Sequence, residues 1–288
     1  MIRTKTILIT VLSAFLAALP IRAAQAPQAL MMKLEAVPVY QPHALPSERG
    51  EKEVYRATWN GMFSVATAEV QTTQTVVDGK KVINVRVDAK TSRALDLIWK
   101  MRDVILSTFD AKTLAPVHYN FSQRENSRVI DTDAKYDAST KQWKVYRTQV
   151  GHRTRDYQFE SNNTLDPISA IYLARSIDFK VGDRLYFKLF GGRYRYLLEL
   201  FIEKKEMVEL ESGKSIEAFR ILPRVQNTTK KGYAGRLNEA VIWISADERR
   251  LPVKLSSKIV FGTVYLDLIQ DKRATEATTA AEVRRPAS

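Results

Sequence analysis

Polar and apolar residues alternate along most of this chain. In the segment 240–268, Val253 and Leu255 fall on one face and Lys254 and Ser256 on the other. Further on, Val264, Leu266 and Leu268 share a face, opposed by Thr263, Tyr265 and Asp267. A period of two marks a half-buried antiparallel strand, because successive side chains leave a pleated backbone on opposite sides. The segment therefore reads as three short strands with two tight connections. The charged run Asp247-Glu248-Arg249-Arg250 has the composition of an exposed hairpin loop.

The same alternation predicts strands upstream over 54–59, 63–77, 81–89, 103–109, 116–124, 129–136, 143–148 and 153–159. Asn60-Gly61 and Asp78-Gly79 are hairpin signals, since both pairs tolerate the positive φ that a two-residue connection demands. Two stretches break the period. Over 92–99, Leu95, Ile98 and Trp99 fit one helical face behind Ser92 as N-cap. Over 166–178, Asp166 reads as N-cap, Pro167 sits at the first helical position, and Ile168, Ile171, Tyr172 and Arg175 recur at helical spacing. Strands return near 184–190, 194–203, 206–211, 215–226 and 236–245. So many strands with two helices and no strand–helix alternation imply an antiparallel sheet, and one this large must curl, split or close. The expected fold is mainly β: a curled antiparallel sheet or incompletely closed β-barrel with one or two short helices. The 166–178 helix is expected to cover its concave face.

The N-terminus has the pattern of an export signal. Arg3 and Lys5 form a basic region, and Ile7 to Leu19 is an unbroken apolar or small-residue run. That run is shorter than the roughly 20 residues a bilayer span requires. Small residues follow at Ala23, Ala24 and Ala26, and prolines at 27, 38, 42 and 46 suggest an extended connection. The expected organisation is a signal peptide over 1–26, a proline-containing linker over 27–50, an antiparallel β domain over 51–271 and a disordered tail over 272–288. The mature chain is then expected in the periplasm without a transmembrane span. The sequence contains no cysteine, which removes lipoprotein acylation, disulfides and thiolate metal sites.

The formal charge of +13, less the 3 bases Arg3, Lys5 and Arg22, leaves +10 from residue 27 onward. The bases are spread over many strands, and export argues against a nucleic-acid partner. Anionic lipid, lipopolysaccharide or a cell-wall polymer is the expected kind of partner, with an envelope protein as a further possibility and a basic soluble surface without such a partner as the alternative.

Four stretches also carry a family resemblance: EVYRATWNGMFSVATAEV (53–70), MRDVILSTFDAKTLAPVHY (101–119), DPISAIYLARSIDFKVGD (166–183) and VIWISADERRLPVKLSSKIVFGTVYLDL (241–268). In this order they resemble the exported bacterial proteins of domain of unknown function family 3108. The resemblance implies an envelope protein with a barrel-like antiparallel fold in a Gram-negative setting, and supplies no catalytic residues. The strand order and lid-like helix also resemble, more distantly, periplasmic lipoprotein carriers that hold acyl chains in an open barrel.

Candidate chemistry is sparse. No nucleophile elbow, phosphate loop or zinc-binding His pair is present. His43, His118 and His152 are far apart in sequence, and no metal or cofactor is expected. Asp131 and Asp133 share a strand face, where paired carboxylates could bind a cation or do acid/base work; a solvated face is the preferred reading. Trp59, Trp99, Trp143 and Trp243 read as core or girdle residues. The run Gly191-Gly192-Arg193-Tyr194-Arg195-Tyr196 is more suggestive. Its glycines permit a tight turn or close backbone approach, and Arg193 and Arg195 oppose Tyr194 and Tyr196, an arrangement able to clamp phosphate or carbohydrate, although a hairpin with the tyrosines packed inside and the arginines in water is the preferred reading. Lys230, Lys231, Tyr233 and Arg236, with Gly232 and Gly235, form a second basic, glycine-rich segment. The functional expectation is an exported, non-catalytic protein that binds an amphiphilic or polymeric envelope component. The alternatives are an enzyme acting on an envelope glycan or lipid, and a scaffold in an envelope complex.

Overall fold

A computed structural model describes residues 32–43, 50–229, 239–259 and 262–273. Its strands are β1 (Glu51–Trp59), β2 (Phe63–Val77), β3 (Lys80–Thr91), β4 (Arg102–Asp110), β5 (Pro116–Glu125), β6 (Arg128–Asp137), β7 (Gln142–Gln149) and β8 (Arg155–Glu160). They continue with β9 (Arg184–Phe190), β10 (Arg195–Glu209), β11 (Ser215–Asn227), β12 (Ala240–Ser245), β13 (Pro252–Ile259) and β14 (Gly262–Arg273). Two helices interrupt them, α1 (Arg93–Asp96) and α2 (Pro167–Arg175).

All the strands form one 14-stranded sheet in the order β8-β7-β6-β5-β4-β3-β2-β1-β14-β13-β12-β11-β10-β9. Every named pair is antiparallel, and β1 joins β14 through nine register pairs from Glu51↔Arg273 to Trp59↔Val264. The mainly β, unclosed architecture expected from the alternation is therefore present. The turn chemistry agrees with it. Asn60 and Gly61 have φ of 52° and 72°, and Asp78 and Gly79 have 50° and 74°. These are the paired positive values of a hairpin turn whose twist matches its strands.

One strand boundary departs from expectation. β10 runs unbroken across Lys204-Lys205, where two strands were expected. The register shifts between Ile202 and Lys204 against β11, so a bulge absorbs the change and pairing continues.

The sheet's two edges, β8 and β9, are consecutive in sequence and are joined by the segment that carries α2. They meet through side chains. Phe159 of β8 lies 5.0 Å from Phe190 of β9 (ring centroids), and Trp143 of β7 lies 5.9 Å from Phe190. The fully buried Trp143 donates its indole N–H to the Thr164 carbonyl at 3.2 Å. A parallel bridge between Leu165 and Leu189 covers part of the β9 edge. Residues 32–43 lie beside β9 as well: the Tyr40 ring packs in a tilted contact at 5.2 Å from Phe187, and its hydroxyl accepts from the Tyr186 N–H at 3.0 Å.

Helix α2 begins where the sequence places it. The Asp166 carboxylate accepts from the Ile168 and Ser169 N–H groups at 2.9 and 3.1 Å, and Pro167 follows as the first helical residue. The helix is more than a lid with one apolar face. All its residues except Ile171 are buried, so it is enclosed by the rolled sheet. A helix apolar on nearly every side is stable only in such a setting.

Candidate functional site

The inner face of β1 begins with two acids. Glu51, Glu53, Tyr55 and Ala57 are in phase and all are buried. Buried carboxylates must be paired or neutral, because removing an unpaired charge from water costs far more than a fold can supply. Glu51 is paired: the Arg175 guanidinium, at the C-terminal end of α2, donates to it at 2.9 Å. Arg175 also donates to the Arg249 carbonyl at 3.2 Å and lies 4.8 Å over the Tyr172 ring. Arg249 bridges Glu51 at 3.4 Å and Asp271 at 2.7 Å. The Tyr172 hydroxyl shares a hydrogen bond with Thr72.

Glu53 takes the other course. It is 2 % exposed, and its Oε1 has no partner among the described residues. Burial first, and then the neighbouring Glu51 carboxylate, push its pKa up to about 8 against the pull of Arg175. At pH 7 burial and the Glu51 charge thus favour the protonated form of Glu53, with Glu51 as its hydrogen-bond partner. Asp166 at the other end of α2 is also shifted upward by burial; Ser107 donates to its Oδ1 at 2.9 Å, and its Oδ2 lacks a partner among the described residues.

Glu53 is one of the residues lining an internal cleft of about 60 Å³ between α2 and the sheet. Tyr55, Val70, Val85, Ile168, Ile171, Leu255 and Leu266 line it, together with the polar or charged Glu53, Tyr172, Arg175 and Lys254. That volume admits a few waters and falls well below the roughly 300–1,000 Å³ of a small-molecule pocket. The site thus combines an apolar slot, an acid held neutral, and an arginine already committed to a carboxylate.

The residues singled out by sequence are distributed differently. Asp131 and Asp133 do share a face, and it is the outer one. Asp131 accepts from Ser122 Oγ at 2.7 Å and from Arg124 at 2.7 Å, while Asp133 is hydrogen-bonded to His118. Partial burial of Asp131 is outweighed by these bonds, which lower its pKa. Both carboxylates are tied into the strand surface, away from the cleft. Among the described residues no cluster of His, Asp and Glu could hold a metal ion. Trp143 is a core residue, whereas Trp59 is partly exposed and packs at 6.0 Å against Phe63.

Gly192, with φ of 82°, lies against β6: a Cβ there would meet Thr132 at 3.4 Å. This is the close backbone approach that the paired glycines suggested. Arg193 lies 4.8 Å over Tyr194 and Arg195 5.2 Å over Phe159, while Tyr196 is buried. Lys230, Lys231, Tyr233 and Arg236 lie outside the described residues.

The charged loop after β12 corrects the sequence reading. Asp247 and Glu248 are exposed, but Arg249 turns into the Glu51 cluster, and Arg250 lies 4.4 Å over Phe179 and 4.7 Å over Phe219. A guanidinium buries its planar face on aromatics readily, which a charge run does not announce. Sequence reasoning also passed over Glu51, Glu53 and Arg175. Their one signal was phase, since the two acids fall on the buried face of their strand.

A rolled antiparallel sheet enclosing a helix, with a largely aliphatic slot that Glu53 helps to line, defines a barrel-like β protein with an internal cleft. The chain belongs to the family described as Protein of unknown function (DUF3108), whose model matches residues 54–269. A search of curated proteins returns no match. Among solved structures, the chain is similar to a β-barrel-like protein of domain of unknown function DUF1849 from Brucella abortus. The identity is 10%, the TM-score 0.47, and the match covers 78% of this chain and 98% of that one. It is also similar to a protein with a YmcC-like fold from Bacteroides fragilis, at 9% identity and a TM-score of 0.36, covering 81% and 100% of the two chains.

Proposed function

We propose that this is an exported, periplasmic, non-catalytic protein that takes the apolar part of an amphiphilic envelope component into the cleft between α2 and the sheet. The observation that carries this reading is the slot itself: a largely aliphatic lining that includes Glu53, an acid that burial shifts toward its neutral form. A neutral carboxylic acid can donate one hydrogen bond and accept others, which suits the polar end of a largely apolar molecule. The slot is small as it stands, so a larger guest requires α2 to shift. The seam between β8 and β9 offers the place, since the two edges meet through aromatic packing instead of a ladder, and the bridge on β9 comes from Leu165, beyond the end of β8. The export signal supports the location. The test is extraction of protein recovered from the periplasm, with mass spectrometry of what it carries. An amphiphile near one per chain is expected, and its depletion on Ile171→Phe, which narrows the slot. An empty protein, or hydrolysis of an added envelope lipid or glycan that depends on Glu53, overturns the reading.

A second reading, a scaffold in an envelope complex, is favoured by one observation. Leu97 and Ile98 are 90% and 82% exposed, and Met62 and Phe63 are 73% and 59% exposed. The Ser92 N–H donates to the Val65 carbonyl at 2.9 Å, which places α1 and the β1–β2 turn at the same end of the sheet. Large apolar side chains gathered at one rim mark an interaction surface. Loss of a cross-linked envelope partner in Leu97→Ser/Ile98→Ser, with cleft occupancy unchanged, is the outcome this second reading expects.

A further inference from the structure

Arg147 stands in the wrong place for an ordinary surface arginine. It follows Trp143 and Val145 on the inner face of β7, and it is 6% exposed. A buried guanidinium is normally matched by a carboxylate or fully hydrogen-bonded. Among the described residues Arg147 has neither. Its directly paired neighbour on β8 is Arg155, and like charges directly opposite across a sheet destabilise it.

Other positive charge converges on the same place. On its other side Arg147 pairs with Thr132, the residue against which Gly192 packs. The close approach at Gly192 carries Arg193 over this end of β6 and β7. Arg193, Arg128 and Arg155 all press on Arg147, and together with burial, the larger cause, they push its pKa down to about 10. Of these, Arg128 is paired with Glu125 at 3.2 Å. Arg147, Arg155 and Arg193 have no carboxylate within ion-pair distance among the described residues. The Tyr157 hydroxyl, next on β8, is buried without a hydrogen-bond partner and feels the same arginines.

We infer that Arg147, Arg155 and Arg193, with the Tyr157 hydroxyl, form a binding site for a phosphate group at the seam between β7–β8 and the β9–β10 turn. Arginine forks match phosphate oxygens in pairs, and a dianion is the charge that offsets several crowded guanidinium groups. The tyrosine supplies a neutral donor to a further oxygen. The site is separate from the cleft beside α2 and does not rest on the amphiphile reading.

The test uses the mature chain and inorganic phosphate as the probe. Calorimetric titration should show saturable binding, with a parallel rise in thermal midpoint that sodium chloride at matched ionic strength does not reproduce. Arg147→Met and, independently, Arg193→Gln should each weaken the affinity at least tenfold. Arg193 lies on an exposed turn, so its variant keeps the test open if the buried substitution fails to fold. Phosphatidylglycerol and phosphatidylcholine vesicles separate the sources of the group. Capture on the anionic vesicles that is lost in both variants assigns a lipid headgroup; phosphate binding with no preference between vesicles assigns a soluble phosphate. A chloride control that matches phosphate, or variants that bind phosphate as the wild type does, overturns the inference.

Discussion

Replacing Glu53 by glutamine isolates the energy stored in one buried acid. In the folded chain Glu53 holds its proton up to about pH 8, against an ordinary value of 4.5. Between these limits the folded state binds a proton that the unfolded chain has released, so stability must fall as pH rises. The contribution is fully present below pH 4.5 and is lost as pH climbs through about 8. Each pH unit is worth about 1.36 kcal/mol, so the three units from pH 5 to pH 8 amount to about 4 kcal/mol. Glutamine has nearly the same shape and donates an N–H toward Glu51 as the neutral acid donates its O–H, but it does not titrate. Asp103, which burial pushes up to about 7, adds a slope of the same sign in both proteins and cancels in the comparison. Urea unfolding at fixed ionic strength between pH 5 and pH 8 is the assay. The variant should gain on the wild type by on the order of 3–4 kcal/mol across that range. Parallel pH dependences, within about 0.5 kcal/mol, would refute the assignment of a neutral buried Glu53.

Other perturbations follow from the same geometry. Arg175→Met strands the buried Glu51 carboxylate and should cost about 3–5 kcal/mol in denaturant unfolding; a loss below about 1 kcal/mol would mean that Arg249 alone satisfies it. Trp143→Ala removes the centre of the aromatic seam and should cost about 3–5 kcal/mol, with the 155–160 edge losing amide protection first in hydrogen exchange. Asp131→Asn and Asp133→Asn should each change stability by no more than about 1 kcal/mol and leave ligand occupancy unchanged; a loss of occupancy with the fold intact would move the site to the outer face. In a secretion-competent host the chain should fractionate with the periplasm without lipidation, and full-length protein retained in the cytoplasm would contradict export.

The strands were legible because each carries its own evidence. Val264, Leu266 and Leu268 alternate with polar residues and are all buried, and the Asn-Gly and Asp-Gly turns have the positive φ that their chemistry permits. The start of α2 was equally local, fixed by Asp166 and Pro167. What the sequence hid depends on contacts distant along the chain. Glu51 meets Arg175 across 124 positions and Arg249 across 198, and no local pattern announces either. The run Asp247 to Arg250 looks like solvated charge because its two ends behave differently: the acids face water while the arginines find a carboxylate and two rings. Arg147 had a readable signal, an arginine in phase with Trp143 and Val145, and its meaning appears only once the turn at Gly192 is folded against Thr132. Lys204-Lys205 looked like a break because two adjacent charges interrupt alternation, and a bulge accommodates them without ending the strand.

The cleft beside α2 is proposed as the place for a guest. The most direct measurement is native mass spectrometry of mature wild-type protein and its Ile171→Phe variant, both recovered from the periplasm, followed by extraction and identification of bound molecules. An amphiphile should be bound near one per chain in the wild type and depleted in the variant, with both proteins folded. A wild type that carries nothing, or a variant that carries as much as the wild type, would contradict this proposal.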